Sequence, residues 1–185
     1  MKLILASGSP RRKYFLTEYG YEFTVVPSTF NETGGKDTPK QTVEYFAYSK
    51  AQDVFEKLKN GDVVVLGADT IVCLDGEILG KPKDKTDAVK MLKKLSGKTH
   101  HVITAYAIIN KHKKIIDSVT TAVTFNDLSD DLISEYVETG SPLDKAGSYG
   151  IQDGYNLVKE YKGSLNNVIG LPIEIIKPLL DEFMK

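Results

Sequence analysis

Cysteine is almost absent from this 185-residue sequence, in which Cys73 is the only one. A single cysteine cannot form an internal disulfide. Cys73 lies within the apolar stretch at residues 71–74. We therefore interpret it as a small buried hydrophobic residue rather than as a nucleophile.

Long apolar runs are missing as well. No stretch approaches the roughly 18 consecutive apolar residues that a membrane-spanning helix requires. The apolar run at residues 2–6 is too short for the hydrophobic core of a signal peptide and predicts a first β-strand instead. We expect a cytoplasmic protein with no membrane partner.

The sequence has no excess of either charge. Its 24 lysines and arginines and 25 aspartates and glutamates give a formal net charge of −1. This balance produces no overall field that would attract nucleic acid, although a locally basic pocket remains compatible with it. At 185 residues, with 41% hydrophobic and 26% charged residues, the chain is an ordinary globular protein with one sizeable domain or two small lobes.

Short signatures of nucleotide and metal sites are also missing. The sequence contains neither a P-loop nor the glycine-rich fingerprint of dinucleotide-binding folds. Its three histidines, His100, His101 and His112, lack the spacing of zinc ligands. A P-loop site, a Rossmann site and a zinc site are therefore not suggested.

What the sequence does contain is a mixture of strand and helix patterns that do not alternate strictly. Strands are predicted at residues 2–6, 21–26, 62–67, 71–74, 77–79, 101–110, 115–125 and 156–161. Helices are predicted to begin at Pro10, to follow a capping box at Thr38, and to cover 86–95, 129–139 and 173–184, with loops at 30–37, 145–152 and 163–172. The pattern favours an α/β fold with a long mixed sheet flanked by helices.

The first candidate site is the segment at residues 6–12, where a predicted strand ends, a small turn follows and a helix begins. N–H groups and the positive end of the helix dipole attract anions at such a turn. Arg11 and Arg12 lie in the first helical turn, where positive charges oppose the dipole, and a bound phosphate would explain that cost. We interpret the segment as a phosphate site; the alternative is an exposed basic turn without a ligand.

Asp69 is the second candidate. It follows the buried strand predicted at 62–67, so we expect it at the carboxyl end of that strand, where ligands of open α/β sheets bind. An aspartyl-phosphate enzyme would need a second aspartate where Ile71 stands, so a metal ligand or general base is the better interpretation. The alternative is a residue that only shapes a chain reversal. Glu32, alone a solvated loop acid, becomes relevant as a second carboxylate for Mg²⁺.

Two lysines and one loop are weaker candidates. Lys81 closely follows the predicted hairpin at 71–79 and could contact phosphate as a point charge. Lys50 lies near the apolar stripe of the second helix, where most lysines only cover apolar surface. The loop 144–152, which ends at Gln152, could approach a ligand or simply connect two elements, and its spacing does not decide between them.

Taken together and in order, five segments resemble the Maf family. They are Ser7-Gly8-Ser9-Pro10-Arg11-Arg12, Gly67-Ala68-Asp69-Thr70, Gly80-Lys81-Pro82, residues 144–152 and Asn167-Val168-Ile169-Gly170-Leu171-Pro172. Each is weak alone, but they share family-like spacing from residue 3 to about residue 172. The resemblance implies a single Maf-like domain over residues 1–185, made of two lobes with a deep cleft, on an elongated mixed sheet like that of inosine triphosphate pyrophosphatases.

The resemblance also implies a reaction. Maf proteins hydrolyse the α–β bond of nucleoside triphosphates with a divalent metal, and were first noticed as inhibitors of septum formation. Asp69 matches the family's proposed proton acceptor and Glu32 its second acidic position, so these two would hold Mg²⁺ or Mn²⁺. The positions that match substrate contacts are Ser7, Arg11, Arg12, Lys50 and Lys81.

Substrate choice divides the family. Arg12, Thr70 and Gln152 resemble the branch that uses dTTP and UTP rather than the branch that prefers 7-methyl-GTP. Family members are commonly dimeric, so a homodimer is expected, although no segment indicates its interface. Two alternatives remain: a purine-directed pyrophosphatase, and a non-catalytic nucleotide-binding regulator of cell division. The non-catalytic regulator would not need Asp69, because it would only bind the nucleotide.

Overall fold

The mixed architecture is present in the computed structural model, which describes residues 1–58 and 62–185. The strands are β1 (Lys2–Leu5), β2 (Phe23–Val25), β3 (Val63–Leu74), β4 (Glu77–Leu79), β5 (Thr99–Ile109), β6 (Lys114–Phe125) and β7 (Val158–Lys162). The helices are α1 (Pro10–Glu18), α2 (Pro39–Lys57), α3 (Lys85–Leu95), α4 (Asp130–Glu138), α5 (Leu165–Ile169) and α6 (Ile173–Phe183). Among the described residues, no helix combines the length and apolarity that crossing a membrane would require.

One mixed sheet holds these strands. Their order is β2-β1-β3-β5-β6-β7, and β4 pairs with β3 beside this path. β1 is parallel to both β2 and β3, with Ile4 opposite Thr24 on one side and Val65 on the other. The pairs β3–β4 and β6–β7 are antiparallel. The predicted fold class, a mixed sheet flanked by helices, is therefore confirmed.

The chain divides into two compact units. The first unit comprises Met1–Asp69, Thr104–Val119 and Gly170–Lys185, and the second comprises Thr70–Ile103 and Thr120–Ile169. The single two-lobed domain over residues 1–185, with its elongated sheet and deep cleft, stays a prediction.

Helix α2 begins where the sequence predicts. The Thr38 hydroxyl accepts a hydrogen bond from the Gln41 backbone N–H, and the Gln41 side chain accepts one from the Thr38 N–H, each at 3.2 Å. Pro39 occupies the first helical turn. A capping interaction of this kind contributes about 1 kcal/mol and sets the residue at which α2 begins.

The core of the first unit forms where α2 packs on the parallel strands. A Cβ atom at Gly67 would lie 2.4 Å from the Ala47 carbonyl oxygen and 2.8 Å from the Ala51 N. Glycine on β3 therefore allows the two backbones to approach closely, which carries Lys50 toward the strand. The buried cluster contains Ile4, Ala6, Ala51, Val54, Val65, Ala107 and Ile109.

The core of the second unit packs α3 and α4 against the strands. Its buried residues are Val72, Leu74, Leu79, Ala88, Leu92, Leu95, Val102, Val123, Phe125, Ile133, Tyr136, Val137, Tyr149 and Leu157. Cys73 is also buried in β3, as expected from its apolar neighbours. Asp75 and Gly76 have φ values of 51° and 83°, which confirms the tight turn predicted between β3 and β4.

Two predictions about elements were wrong. The strands predicted at 62–67 and 71–74 merge into one continuous strand, β3 (Val63–Leu74), so Asp69 lies inside a strand rather than at its end. Residues 68–70 contain no glycine or proline, and the β-branched residues 70–72 keep the chain extended. The predicted loop 163–172 contains α5, whose start is stabilised by a hydrogen bond from the Asn167 N–H to the Ser164 hydroxyl at 3.0 Å. Five residues are too few to show helical periodicity.

Candidate active site

Three charged side chains meet in the first unit. The Lys50 Nζ lies 2.6 Å from Asp69 Oδ1 and 2.6 Å from Glu32 Oε1. The exposed fraction of the side chain rises from 9% for Asp69 to 13% for Lys50 and 51% for Glu32. The ammonium group therefore lies between a buried carboxylate and one that faces solvent.

Asp69 reaches this position because its neighbouring parallel strand is shorter. β1 ends at Leu5, opposite Leu66, and the Ala6 N–H still donates to the Leu66 carbonyl at 2.8 Å. β3 continues past that point, so Asp69 lies beyond the carboxyl end of β1, on the side where Ser7 begins the turn to α1. Although not at the end of its own strand, Asp69 occupies the kind of sheet edge where α/β proteins bind ligands.

Arg12 is buried beside the same turn. Its Nη1 donates to the Ser7 hydroxyl and its Nε to the Gly170 carbonyl, both at 3.0 Å. Arg12 is 9% exposed and Ser7 is 8% exposed. Arg11, in the same helical turn, is partly exposed. The predicted grouping of Ser7 with Arg12 at the start of α1 is therefore present.

Burial and charge act on these groups in opposite directions. Burial lowers the pKa of Arg12, which the negative charge of Asp69 partly offsets. Burial also raises the pKa of Asp69, while the charge and hydrogen bond of Lys50 lower it. A buried carboxylate balanced between desolvation and nearby cations is typical of a functional site, because such a group can change protonation or accept a metal at little cost.

The loop that carries Glu32 is attached to α2 at both ends. The Asp53 carboxylate accepts hydrogen bonds from the Ser28 hydroxyl and from the Thr29 N–H, each at 2.8 Å. At the other end the Thr42 hydroxyl accepts a bond from the Lys36 N–H at 2.8 Å. One helix thus positions the loop and also supplies Lys50.

In the second unit, the segment with Lys81 and the loop 144–152 are joined. The Gly147 N–H donates to the Gly80 carbonyl at 3.0 Å. Gly147 has a φ of 67°, and a Cβ atom there would lie 2.8 Å from a Val72 methyl carbon, so both its conformation and its packing require glycine. Lys81 and Gln152 are exposed and Thr70 is partly exposed.

A divalent metal has suitable donors in this structure. Within the described ranges, no group of three or more histidine, cysteine, aspartate or glutamate side chains is placed to hold an ion. Asp69 and Glu32 nevertheless direct an oxygen each at one common cation, Lys50 Nζ. Two carboxylates with phosphate oxygens are a usual ligand set for Mg²⁺ or Mn²⁺, so the residues fit such an ion.

Two features of the site were not predictable from local sequence. Lys50 was unremarkable by spacing, and only the close approach of α2 to Gly67 explains why it reaches Asp69. The Gly170 carbonyl that binds Arg12 lies 158 residues away along the chain. Two sequence features could have indicated that Lys50 reaches Asp69. Lys50 lies between Ala47 and Ala51 on an apolar stripe, and the buried strand contains a glycine, Gly67.

The fold has a counterpart among solved structures. The nucleoside-triphosphatase / dITP/XTP pyrophosphatase from Mycobacterium abscessus superposes with a TM-score of 0.51 at 17% sequence identity, covering 100% of this chain and 99% of that one. The likeness shows that this chain shares the fold of that pyrophosphatase.

The family follows from the sequence comparison. A family model described as Maf-like protein matches residues 2–183, and the chain belongs to the Maf family. It is 46% identical to the dTTP/UTP pyrophosphatase of Thermococcus gammatolerans, with 94% of this chain and 92% of the relative covered. It is 45% identical to the dTTP/UTP pyrophosphatase of Clostridium botulinum, with 98% and 99% covered. The resemblance drawn from the five segments is confirmed.

Proposed function

We propose that this protein is a nucleoside triphosphate pyrophosphatase that hydrolyses the α–β bond of dTTP and UTP to the monophosphate and pyrophosphate. The observation that carries the proposal is the buried Asp69, paired at 2.6 Å with Lys50 at a sheet edge. The names of relatives that align over nearly the whole chain support the same activity and the same substrates.

The phosphate groups would be bound at the start of α1. Arg12 is held by Ser7 and Gly170, so its guanidinium is oriented before a ligand arrives. Arg11 would add a second positive charge from the same turn. A charge-assisted hydrogen bond to phosphate contributes roughly 1.5–3 kcal/mol, and a fixed guanidinium loses little entropy when it forms.

Asp69 would orient or deprotonate the attacking water. Its buried carboxylate lies beyond the carboxyl end of β1, beside the turn that leads to α1. Asp69 and Glu32 would also hold the Mg²⁺ or Mn²⁺, which when bound neutralises triphosphate charge. Lys50, which is paired with both carboxylates in this structure, would contact phosphate.

For three residues of the second unit the proposal rests on the family resemblance. Lys81 would contact phosphate, while Thr70 and Gln152, with Arg12, would set substrate preference. A cytoplasmic location, a homodimer and the absence of nucleic-acid and membrane partners likewise stay predictions.

A nucleotide panel tests the proposal. The purified protein is incubated with dTTP, UTP, CTP, GTP and ITP, with Mg²⁺ or Mn²⁺ and with a chelator, and the products are separated. We expect pyrophosphate and monophosphate from dTTP and UTP, with no turnover in the chelator. A preference for ITP would favour the purine-directed alternative, and no turnover of any nucleotide would favour the non-catalytic regulator.

A further inference from the structure

We propose that Tyr136 is a positioning residue that sets the base preference by fixing the turn that carries Gln152. This inference rests on the proposed function, in which Gln152 helps to set substrate preference, and takes the base as the part of the substrate that it contacts. Tyr136 lies on α4, is 0% exposed and belongs to none of the five family segments.

The Tyr136 hydroxyl bonds to both ends of the turn at residues 150–153. It donates to Asp153 Oδ2 at 2.6 Å and accepts from the Gly150 N–H at 2.9 Å. The Asp153 N–H also donates to the Gly150 carbonyl at 3.1 Å. Both ends of the four-residue turn Gly150–Asp153 therefore bind one hydroxyl group, while Gln152 within it is exposed.

The Asp153 carboxylate is fixed by further partners. Its Oδ2 accepts a hydrogen bond from the Ser141 hydroxyl at 2.7 Å and lies 3.4 Å from Lys145 Nζ. The Lys145 side chain is only 10% exposed, and its Nζ also donates to the Ser141 carbonyl at 2.6 Å. Burial, reinforced by the hydrogen bond to Asp153, raises the pKa of Tyr136, so its hydroxyl stays a donor at neutral pH.

Gly150 is required by the same network. A Cβ atom there would lie 2.6 Å from Asp153 Oδ1 and 2.7 Å from Lys145 Cε. The second glycine of the loop 144–152 thus gives room to the partly buried ion pair. A surface connection needs no such set of hydrogen bonds, whereas a binding residue does need a support that fixes it.

Fixing the turn matters because of the chemistry of the amide. Thymine and uracil present an N3–H donor beside the O4 acceptor, and cytosine presents an N3 acceptor beside an amino donor. A glutamine amide can pair with either edge if it is free to rotate. Holding the backbone on both sides of Gln152 fixes the point from which its side chain extends, and so limits the positions that its amide can take at the base edge.

Tyr136→Phe tests this inference, because it removes the hydroxyl and keeps the ring. The matched control is Tyr155→Phe, whose ring packs against that of Tyr136 at a centroid distance of 4.7 Å. We measure kcat and KM for UTP and CTP well below the melting temperature. Loss of the two hydrogen bonds should lower the ratio of kcat/KM for UTP to that for CTP by roughly three- to tenfold in Tyr136→Phe. The ratio should be unchanged in Tyr155→Phe.

The possible outcomes separate this inference from the function on which it rests. An equal loss of kcat on both nucleotides, with an unchanged ratio, would make Tyr136 merely structural and overturn the inference. If Gln152→Glu changed the ratio and Tyr136→Phe did not, the function would stand and the inference would fall. A wild type that turns over no nucleotide would overturn both. If Tyr136→Phe does not fold, Asp153→Asn, which leaves α4 intact, must lower the ratio.

Discussion

The two units differ in how far their candidate residues are buried. In the first unit Arg12 and Asp69 are buried, with 9% and 7% of the whole residue exposed, whereas Arg11 and Glu32 are more exposed. In the second unit Lys81 and Gln152 are exposed, and the buried residue is Tyr136, which bonds to the turn that carries Gln152. Groups that need a perturbed pKa have to be desolvated, whereas a group that reads a ligand only has to be held in place.

This difference separates rate from selectivity. Substitution of Asp69 should lower turnover of all nucleotides alike. Substitutions in the Gly150–Asp153 turn, or of Tyr136, should change the order in which nucleotides are preferred. An Asp69 variant that alters the order, or a variant of that turn that lowers every rate equally, breaks the comparison.

Asp69→Asn should have the largest effect. The amide can still accept the hydrogen bond from Lys50, but it cannot accept a proton or carry the charge for a metal. We expect kcat on dTTP to fall by about 10²–10⁴, with little change in melting temperature. Asp75→Asn is the control, since that residue lies in the turn after the same strand at a φ of 51°, which asparagine tolerates. A folded Asp69→Asn protein with wild-type kcat would contradict the assignment.

Arg12→Ala should come next. It removes the guanidinium that binds Ser7 and Gly170 and would bind phosphate. We expect kcat/KM for dTTP and UTP to fall by about tenfold to a hundredfold or more. Lys13→Ala, which removes a partly exposed cation from the same helix, should leave kcat/KM nearly unchanged. A lower melting temperature with unchanged kinetics would show that Arg12 only stabilises the fold.

Gln152→Glu should change selectivity more than rate. A carboxylate has no donor for O4 at neutral pH, so kcat/KM for dTTP and UTP should fall by about tenfold or more, and that for CTP by less. Asn156→Asp adds the same charge at another exposed position of the second unit and should not change the ranking. If Gln152→Glu leaves both the rates and the ranking of the nucleotides unchanged, a residue other than Gln152 recognises the base.

Asp53→Asn should have the smallest effect. It weakens one attachment of the Glu32 loop, where the hydrogen bond from Lys57 lowers the pKa of Asp53 to about 2. The pKa of Asp53 is lower in the folded than in the unfolded protein, so its ionised carboxylate stabilises the fold at neutral pH. This stabilisation is lost only as the pH falls toward 2. An exposed pair contributes less than about 1 kcal/mol to the free energy of unfolding. Denaturant titrations between about pH 5 and 8 should give a constant difference from wild type, and kcat should change by less than about threefold.

Local patterns in the sequence predicted most elements of the fold. The capping box at Thr38 and the Asp75-Gly76 turn each act through neighbouring residues, so local sequence is enough to predict their geometry. Local sequence does not show the continuity of β3, because polar Asp69 and Thr70 interrupt its apolar pattern. The burial of Asp69 depends on neighbouring strands that are distant in sequence.

The site was less predictable, since its contacts join distant residues. Arg11 and Arg12 stood out because cations oppose a helix dipole, which is a local signal. Lys50 and Glu32 are only weak candidates by local sequence, because their meeting with Asp69 depends on how α2 packs. Tyr136 gave no signal, since a buried tyrosine on an amphipathic helix is normally a core residue.

Hydrolysis of dTTP in water labelled with heavy oxygen tests most directly whether the protein cleaves the α–β bond. Water that attacks the α-phosphorus leaves its oxygen in the monophosphate, and mass spectrometry of both products locates it. We expect labelled dTMP and unlabelled pyrophosphate. Label in the pyrophosphate, or release of dTDP and inorganic phosphate, would contradict a water activated by Asp69 for attack at the α-phosphorus.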